Sequence, residues 1–375
     1  MSKPVAIVSV INDLVTDQRV SRTCDVLTQH GYEVVLVGRK LKKSLPLSVR
    51  PYKTHRLHLF FEKGPAFYFF FHIRLWNFLR KNNFDLLVSN DLDTLWPNFY
   101  YSKRRRCPLI YDSHEIFCEV PELMNAPFKK RIWVGIERRI VPKLKFCITV
   151  NQSIAEYFKK LYAKDFLVVR NVPLLKRLHA EKPDVEGFEY PVDKKIIILQ
   201  GSGININRGA EEAVEAMNYM DGAILLVIGS GDAIPMLKKK AVDLIRKKRV
   251  FFLDRMPPEK LRNFTGFADL GLSLDKDTNL NYHFSLPNKL FDYVHAGIPV
   301  LASPLPEVKA FIEKYQVGLC IESFEPIHIA EKMREILFSP NYSLWKQNTI
   351  HASAENNWQL ESKVWLELLE KIRRD

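Results

Sequence analysis

The sequence predicts an α/β protein of two domains, each a doubly wound parallel sheet, with a cleft between them. Apolar strands are followed by polar loops and helical patterns in two separate series, which is typical of parallel sheets covered by helices. The chain has 375 residues, and this length suits two domains of roughly 170 to 200 residues better than one core. Hydrophobic residues make up 47 % of the chain and 24 residues are Phe, so both domains have enough core material.

The first series of elements defines an N-terminal domain over residues 1–172. It opens with an apolar strand over residues 5–10, and an amphipathic helix follows near residues 19–29. A turn at Gly31 leads to the next strand. Further strands are predicted at residues 33–37, 85–89, 109–111 and 147–150.

The second series defines a C-terminal domain over residues 173–350, after a hinge near Asn171 to Pro173. The tail of the chain, residues 358–374, has a helical pattern of apolar residues. The strands of the second domain are predicted at residues 195–200, 224–228, 250–253, 270–274 and 300–301.

The net charge of +13 is concentrated in the first half of the chain. Residues 1–172 contain 29 Lys and Arg against 15 Asp and Glu, whereas the remainder contains 27 against 28. A cationic face that also carries the aromatic run at 67–71 suits an anionic membrane surface or a lipid-phosphate substrate. An ordinary solvated basic face is an equal alternative. Nucleic acid is not expected, because the sequence has no zinc-ligand pattern, RNA-binding signature or basic low-complexity tail.

Five scattered cysteines indicate reduced thiols rather than a disulfide framework. The sequence shows no signal peptide before the first strand, and no apolar run of the roughly 18 residues needed to span a bilayer. We therefore expect a cytoplasmic protein, with peripheral contact at the inner face of the membrane as an option.

The segment at residues 285–303, SLPNKLFDYVHAGIPVLAS, is the most informative part of the chain. It predicts a polar loop, a short helix that ends at Gly297, and a buried strand. In a parallel sheet this arrangement places Asn288, Lys289 and Asp292 beside the cleft at the carboxyl ends of the strands. We expect a nucleotide to bind there.

The start of this short helix is also specified by the sequence. Ser285 is expected to cap the first turn, and Pro287 is expected just inside it. The free N–H groups of the first turn then point into the cleft, where they favour an anion.

The segment resembles the C-terminal signature of the GT-B glycosyltransferases, in the large group of retaining nucleotide-sugar enzymes called family 4, or glycosyl transferases group 1. This resemblance implies two Rossmann-like domains and a C-terminal helix, residues 351–375, that crosses back onto the first domain. In that group two glutamates precede an Ala-Gly pair, the first contacting the donor sugar and the second the ribose. Asp292 takes the place of the second glutamate, and Phe284 takes the place of the first. The usual sugar-contacting carboxylate is therefore absent from its position.

A glycine-rich loop with Gly201 and Gly203 follows the first strand of the second domain and leads to Arg208. Glycines let backbone N–H groups approach a phosphate, and a fixed cation stabilises the charge of a diphosphate leaving group. By the resemblance Arg208 is the first candidate cation and Lys289 the second. The alternatives are a surface arginine for Arg208 and an ion pair of Lys289 with Asp292, three residues further along the helix.

A second glycine loop contains Gly229 and Gly231. It matches the V-x-G-x-G element that lies near the donor diphosphate in similar enzymes. A tight turn between strand and helix is the structural alternative.

Polar residues also end the strands of the first domain. Residues 112–115, Asp-Ser-His-Glu, resemble the D-x-H-E element whose histidine faces the donor sugar, so His114 is a catalytic candidate and a structural histidine is the alternative. Asp91 and Asp93 are candidate acceptor-binding residues, and capping of the following helix is their alternative role. Asn12 and Asp13, at the end of the first strand, are further acceptor-binding candidates.

Together these features predict a retaining glycosyltransferase of the hexosyltransferase class, with roles in surface polysaccharide biosynthesis. The donor is expected to be a UDP- or GDP-linked sugar and the acceptor a saccharide or a lipid-linked saccharide. No cofactor and no metal are expected. The alternatives are a non-catalytic scaffold or partner subunit of the same fold, which the residue at position 284 suggests, and a sugar-nucleotide epimerase.

Overall fold

The structure of the chain is a computed structural model that describes residues 3–15, 17–42, 44, 46–176, 188 and 190–374. The chain forms two compact units. Unit 1 consists of Met1–Asn171 together with Glu361–Asp375, and unit 2 consists of Val172–Leu360. The division between Asn171 and Val172 falls within the hinge expected from the sequence.

Unit 1 contains a seven-stranded parallel sheet in the order β3-β2-β1-β4-β5-β6-β7. Its strands are β1 (Val5–Asp13), β2 (Glu33–Lys40), β3 (Lys53–His58), β4 (Leu86–Asn90), β5 (Leu109–Ser113), β6 (Phe146–Thr149) and β7 (Leu167–Val168). Its first six helices are α1 (Gln18–Gln29), α2 (Gly64–Lys81), α3 (Leu92–Arg105), α4 (Pro121–Met124), α5 (Pro127–Ile140) and α6 (Gln152–Tyr162).

Unit 2 contains a six-stranded parallel sheet in the order β10-β9-β8-β11-β12-β13. Its strands are β8 (Lys195–Gly201), β9 (Ala223–Gly229), β10 (Val250–Leu253), β11 (Leu270–Ser273), β12 (Val300–Ala302) and β13 (Gly318–Cys320). The helices that follow α6 are α7 (Ala210–Ala216), α8 (Ile234–Lys240), α9 (Val242–Arg246), α10 (Pro258–Gly266), α11 (Leu280–His283), α12 (Asn288–His295), α13 (Pro306–Tyr315), α14 (Pro326–Leu337), α15 (Tyr342–Glu355) and α16 (Trp358–Arg374).

The central strands of both sheets are buried on both faces, because helices cover each side of a doubly wound sheet. Ile7 and Val8 of β1 are fully buried, and Val8 pairs with Leu36 and with Val88. This register shows that β1 lies between β2 and β4 in the sheet. The predicted fold class, two Rossmann-like parallel-sheet domains, is confirmed.

Residues 361–374 of the last helix, α16, belong to unit 1. Glu361 accepts hydrogen bonds from the backbone N–H and the Nε of Arg170, both at 2.7 Å. Near the other end of α16, Arg373 donates to the backbone oxygen of His30 at 2.6 Å, and Trp365 between these contacts is fully buried. The segment before this helix, residues 351–355, completes α15 within unit 2.

The predicted start of the short helix in the 285–303 segment was wrong in detail. The helix begins at Asn288, with Pro287 as its N-cap residue and without a side-chain cap. Ser285 lies too far before the first turn to cap it, and its hydroxyl is buried without a hydrogen-bond partner among the described residues. The predicted end was right, because Gly297 follows the helix with φ of 75°, the left-handed conformation that favours glycine.

All five cysteines are free thiols. Among the helices that the structure describes, none combines the length and the apolar character needed to cross a membrane.

Candidate functional site

Each sheet has a point where the strand order reverses, and polar residues gather at both points. The order reverses between β1 and β4 in unit 1, and between β8 and β11 in unit 2. In open α/β sheets ligands bind at the carboxyl ends of the strands beside such a point, because the loops there diverge and leave a crevice. Most of the predicted site residues come after these strands, whereas His114 follows β5 and the second glycine loop lies at the end of β9.

In unit 2 the two predicted cations meet at a third residue, Asp275, which was not predicted from the sequence. Arg208 donates from Nε to Oδ1 of Asp275 at 2.5 Å, and Lys289 places Nζ 2.9 Å from Oδ2. Asp275 comes two residues after β11, and its side chain is only 1 % exposed. Asp275 could have been identified from its position just after β11, a strand beside the reversal point.

The charges of this group perturb one another. Burial disfavours charge on Asp275, but the neighbouring Lys289 and Arg208 outweigh it and lower the pKa of the carboxyl. Burial lowers the pKa of Lys289, and the attraction of Asp275 opposes that shift. Two cations thus surround one carboxylate and leave a net positive charge. The side chains of Arg208 and Lys289 remain 25 % and 14 % exposed, so a ligand can still reach them.

The two glycine loops of unit 2 pack directly on each other through their backbones. Ser230 donates its N–H to the oxygen of Gly201 at 3.1 Å, and Ile204 donates to the oxygen of Ser230 at 3.0 Å. A Cβ on Gly229 would lie 1.8 Å from the oxygen of Gly201, and one on Gly231 would lie 2.0 Å from the oxygen of Ile204. Glycine at both positions is therefore required for the close approach of the loops, beyond the needs of a simple turn.

Gly203 lies in the first of these loops, next to the predicted arginine. Its backbone oxygen accepts a hydrogen bond from Nη1 of Arg208 at 3.3 Å. The guanidinium of Arg208 also lies 5.1 Å from the centre of the Tyr282 ring. The loop, the ring and Asp275 together hold the arginine at the end of β8.

The predicted residues of α12 lie at different depths. Asn288, the first residue of the helix, is exposed, and Lys289 points to Asp275 instead of pairing with Asp292. The uncapped N-terminus of α12 favours an anion. The N-terminus of α12, with Asn288, and the ammonium group of Lys289 thus offer an anion two favourable groups at the same end of the helix.

Asp292 is held by a short chain of hydrogen bonds. Nε2 of Gln200 donates to Oδ2 of Asp292 at 3.2 Å, and Oε1 of Gln200 accepts from the hydroxyl of Thr265 at 2.6 Å. Gln200 precedes Gly201 at the end of β8, so this chain connects Asp292 to the glycine loop. Asp292 remains partly exposed.

Phe284 follows α11, and its ring packs edge-on against His283 with centroids 4.7 Å apart. His283 in turn contacts the carboxylate of Asp277 at 2.7 Å. The position that resembles the first family glutamate is thus an aromatic residue beside a His-Asp pair.

In unit 1 the ring of His114 lies between two carboxylates. Nδ1 is 3.3 Å from Oδ2 of Asp91, and Nε2 is 3.3 Å from Oδ2 of Asp112. Asp112 is itself fully buried and bound by Arg19, whose Nε and Nη2 donate to its two oxygens at 3.1 and 2.7 Å. Arg19 was not predicted as a site residue, because α1 lies far from the motif in the sequence.

These carboxylates keep the His114 ring charged. Burial alone would lower its pKa, but Asp91 and Asp112 outweigh burial and raise the pKa to about 9. Arg19 and His114 hold the pKa of Asp112 well below its usual range, against the effect of burial. The side chain of His114 is 18 % exposed, so a cationic ring is presented at the carboxyl edge of the sheet.

Asp91 and Asp93 follow β4 at the same edge. Asp91 precedes α3 but makes no side-chain cap for it, so the capping alternative is wrong for this residue. Asp93 is 4 % exposed, its Oδ1 has no hydrogen-bond partner in the described part of the chain, and burial raises its pKa well above the usual value.

Asn12 and Asp13 end β1 on the other side of the reversal point, and both are engaged within unit 1. Nδ2 of Asn12 donates to Asp17 at 3.1 Å. Asp13 accepts from the hydroxyl of Ser44 at 2.6 Å and pairs with Arg56 at 3.3 Å. A ligand of these residues would compete with such contacts.

In the described ranges, no group of three or more His, Cys, Asp or Glu side chains is arranged to hold a metal ion. The positive charge at the ends of β8 and β11 is supplied by Arg208 and Lys289.

Two family profiles match the chain in succession. Glycosyltransferase Family 4 matches residues 18–172, and Glycosyl transferases group 1 matches residues 186–351. Comparison with curated proteins gives no match.

Solved structures of glycosyltransferases have the same fold over nearly the whole chain. Sucrose-phosphate synthase from Thermosynechococcus elongatus matches with a TM-score of 0.77 and 17 % identity over 100 % of both chains. WaaG, a glycosyltransferase involved in lipopolysaccharide biosynthesis, matches with a TM-score of 0.69 and 15 % identity over 96 % of this chain and 98 % of that one. HepE from Anabaena, in complex with UDP and glucose, matches with a TM-score of 0.72 and 13 % identity over 98 % of this chain and 100 % of that one.

Proposed function

This chain is a family 4-like GT-B glycosyltransferase, and from that premise we propose that it transfers a hexosyl group from a nucleoside diphosphate sugar, UDP- or GDP-linked, with retention of configuration. The observation that carries the donor assignment is the convergence of Arg208 and Lys289 on buried Asp275, beside two glycine loops that pack backbone to backbone. HepE, which has the same fold, has been solved with UDP-glucose.

The proposed role of Arg208 and Lys289 is to bind the diphosphate. As the bond between the sugar and the phosphate breaks, negative charge develops on the leaving oxygen, and cations already in place stabilise it without reorganisation. The N-terminus of α12 with Asn288, and the glycines Gly201 and Gly229, add backbone N–H groups.

Asp292 is proposed to bind the ribose hydroxyls. It is a partly exposed carboxylate held by Gln200 at 3.2 Å, and an ionised carboxylate accepts two hydroxyl hydrogen bonds well. Gly203 and Gly231 are proposed to shape the loops around the donor.

His114 is proposed to donate a hydrogen bond to a hydroxyl of the donor sugar, with one of its ring N–H groups exchanging a carboxylate partner 3.3 Å away for that hydroxyl. Because Asp91 and Asp112 face its two ring nitrogens, the ring is suited to act as a cation rather than as a general base. The acceptor hydroxyl would instead lose its proton to the departing phosphate, as the bond from C1 to the acceptor oxygen forms on the face that the phosphate leaves. Acceptor contacts are proposed for Asp91, Asp93, Asn12 and Asp13.

The proposed acceptor is a saccharide or lipid-linked saccharide of surface polysaccharide biosynthesis. The cation excess of the first half of the chain supports peripheral contact with the inner face of an anionic membrane. Neither a metal nor a further cofactor is part of the proposal.

Titration calorimetry with UDP and GDP tests the donor assignment. We expect one nucleotide to bind, and R208A and K289A to weaken its Kd about tenfold or more, because hydrogen bonds to charged groups contribute about 1.5 to 3 kcal/mol. K239A, which removes an exposed cation of α8, is the matched control and should bind as the wild type does. Absence of binding to either nucleotide, or equal affinity of all variants, would overturn the assignment.

A further inference from the structure

Three helices of unit 1, α2, α3 and α5, form a continuous packed layer. The rings of Tyr68 on α2 and Trp133 on α5 are 5.2 Å apart, and those of Trp76 on α2 and Trp96 on α3 are 5.6 Å apart. Nε2 of His72 lies 2.6 Å from the backbone oxygen of Asp93 at the start of α3. We call this group of three helices the helical layer.

The helical layer exposes cations but no carboxylate. It contains three Lys and Arg residues on α2, three on α3 and five on α5. Its two acidic residues are Asp93 and Glu137, and they are only 4 % and 1 % exposed. Lys130 pairs with Glu119, just outside these helices, at 2.7 Å. The layer as a whole still carries an excess of cations, so its outer surface is complementary to an anion-rich surface.

Large apolar side chains are exposed among these cations. Phe69 on α2 is 61 % exposed, Phe128 on α5 is 77 % exposed and Ile132 one turn later is 50 % exposed. Phe60, in the loop that leads into α2, is 77 % exposed and its ring contacts that of Phe70. The rings of Phe60 and Phe69 both contact that of Phe70, so these apolar side chains form a cluster, which is less usual on a soluble protein than single exposed residues.

The combination of exposed cations and exposed apolar side chains favours a lipid bilayer as the occupant. A ligand that offers only phosphate groups would match the cations, but it would provide no apolar surroundings for Phe69, Phe128 and Ile132. At an anionic bilayer, Lys and Arg contact the headgroups while Phe and Ile enter the acyl boundary. A nucleic-acid duplex would satisfy the charge, but its phosphate backbone would leave Phe69, Phe128 and Ile132 in water.

The layer also reaches the candidate acceptor residues. His72 contacts the backbone of Asp93, and Tyr68 lies close enough to the Asp93 carboxylate for that charge to contribute, after burial, to raising the tyrosine pKa to about 12. Phe69 is the next residue on α2. The helix that carries Phe69 therefore contacts the segment that follows β4 at the carboxyl edge of the sheet.

We propose that the helical layer docks this chain on an anionic lipid bilayer, with the side chains of Phe69 and Phe128 inserted, and that the acceptor is anchored in the same bilayer. The anchoring of the acceptor rests on the proposed function, whereas the docking surface does not.

The test is co-sedimentation of the full chain with vesicles, comparing phosphatidylcholine alone with phosphatidylcholine that contains about 30 % phosphatidylglycerol, a content that gives a negative surface potential. We expect binding to the anionic vesicles that weakens at high salt. R74E/R131E and F69S/F128S should each lower the affinity about tenfold or more, since each adsorbed cation or inserted ring contributes to adsorption. All four side chains are exposed, so these variants should fold.

Matched controls come from unit 2. K239E/K240E makes the same charge change on α8, and F338S removes a Phe that is 56 % exposed. Both control variants should bind vesicles within about twofold of the wild type.

Absence of sedimentation with anionic vesicles would overturn the docking surface, and so would an equal loss of vesicle binding in the controls. Preferential binding to duplex DNA through the same residues would identify a nucleic-acid surface instead. Calorimetry with UDP and GDP on the same preparations separates failure of membrane docking from failure of the proposed function, because the layer variants should retain nucleotide binding.

Discussion

The carboxylate of Asp91 contacts His114 twice. Oδ1 accepts the backbone N–H of His114 at 2.8 Å, and Oδ2 lies 3.3 Å from Nδ1 of its ring. Asp112 faces the other ring nitrogen, so each nitrogen of the ring has a carboxylate partner. The imidazole is therefore held as a cation and fixed in orientation at the end of β5, which is a different state from the neutral histidine of a general base.

Protonation of His114 should stabilise unit 1 in a pH-dependent way. Its pKa in the folded chain is about 9, which is higher than the ordinary value of about 6.5 expected after unfolding. The stabilisation is therefore complete below about pH 6.5 and is lost as the pH rises through about 9, with a size of about 1 to 3 kcal/mol. Urea unfolding at a series of pH values measures it.

The matched variant for this measurement is H114Q, which removes the titrating group. Its free energy of unfolding should change less than that of the wild type over the same pH interval. An NMR titration that placed the pKa of His114 near its ordinary value would contradict the prediction.

The backbone of Asp91 is strained, and glycine should relieve the strain. Asp91 has φ of 59° and ψ of 170°, a conformation that residues other than glycine rarely adopt. D91A and D91G both remove the carboxylate, but only D91G accommodates the backbone. We expect D91G to be more stable than D91A by about 1 to 3 kcal/mol in urea unfolding. In both variants the pKa of His114 should fall toward its ordinary value, and equal stability of the two would contradict the strain.

The sequence predicted the parts of the fold whose signal is local. The first and central strands were predicted because runs such as 195–200 are continuously apolar, as expected of strands buried on both faces. Three edge strands were not predicted. β3 has one buried residue, Leu57, and β7 and β13 contain only two and three residues. They exist because a neighbouring strand pairs with them, which is a tertiary effect.

In the candidate site, too, the sequence predicted the residues that lie in local motifs and not the partners that tertiary contacts bring to them. Arg208 and Lys289 were found through their motifs, but their partner Asp275 was not, because the contact joins residues 67 positions apart in the case of the arginine. Arg19 was missed for the same reason, being 93 positions from Asp112. The ion pair of Lys289 with Asp292, which the sequence offered as the alternative role of the lysine, follows helix spacing. In the structure Lys289 pairs instead with the buried carboxylate of Asp275.

The shared carboxylate of Asp275 should make the two cations non-additive. R208A leaves Lys289 to neutralise Asp275, and K289A leaves Arg208. The double variant leaves a carboxylate that is 1 % exposed without either partner. We expect the double variant to lose about 1 to 3 kcal/mol more stability than the sum of the single variants.

Adding D275N to the double variant tests the cause. Asparagine carries no charge, so the triple variant should recover most of the excess loss in urea unfolding. R208A combined with K239A is the control pair and should be additive within about 0.5 kcal/mol. An additive double variant, with no recovery in the triple, would mean that Asp275 is not the shared partner.

The close packing of the two glycine loops predicts different effects for different glycines. A Cβ at Gly229 or Gly231 would lie 1.8 or 2.0 Å from a backbone oxygen of the other loop, so G229A and G231A must displace a loop. If the loops shape the donor site, both variants should weaken the Kd of the bound nucleotide about tenfold or more in calorimetry, because a misplacement of about 1 Å is costly in a preorganised site.

Two further glycines provide controls that separate loop displacement from other effects of alanine. Gly297 has a positive φ of 75° but open space around a Cβ, so G297A should lose about 1 kcal/mol of stability from backbone strain while retaining nucleotide affinity. Gly135 lies in α5 with no atom within 4 Å of a Cβ, so G135A should gain about 0.5 to 1 kcal/mol from helix propensity. Nucleotide affinity that is unchanged in G229A and G231A would show that the loop packing serves the fold alone, since the steric conflict is unavoidable at those two positions and absent from the controls.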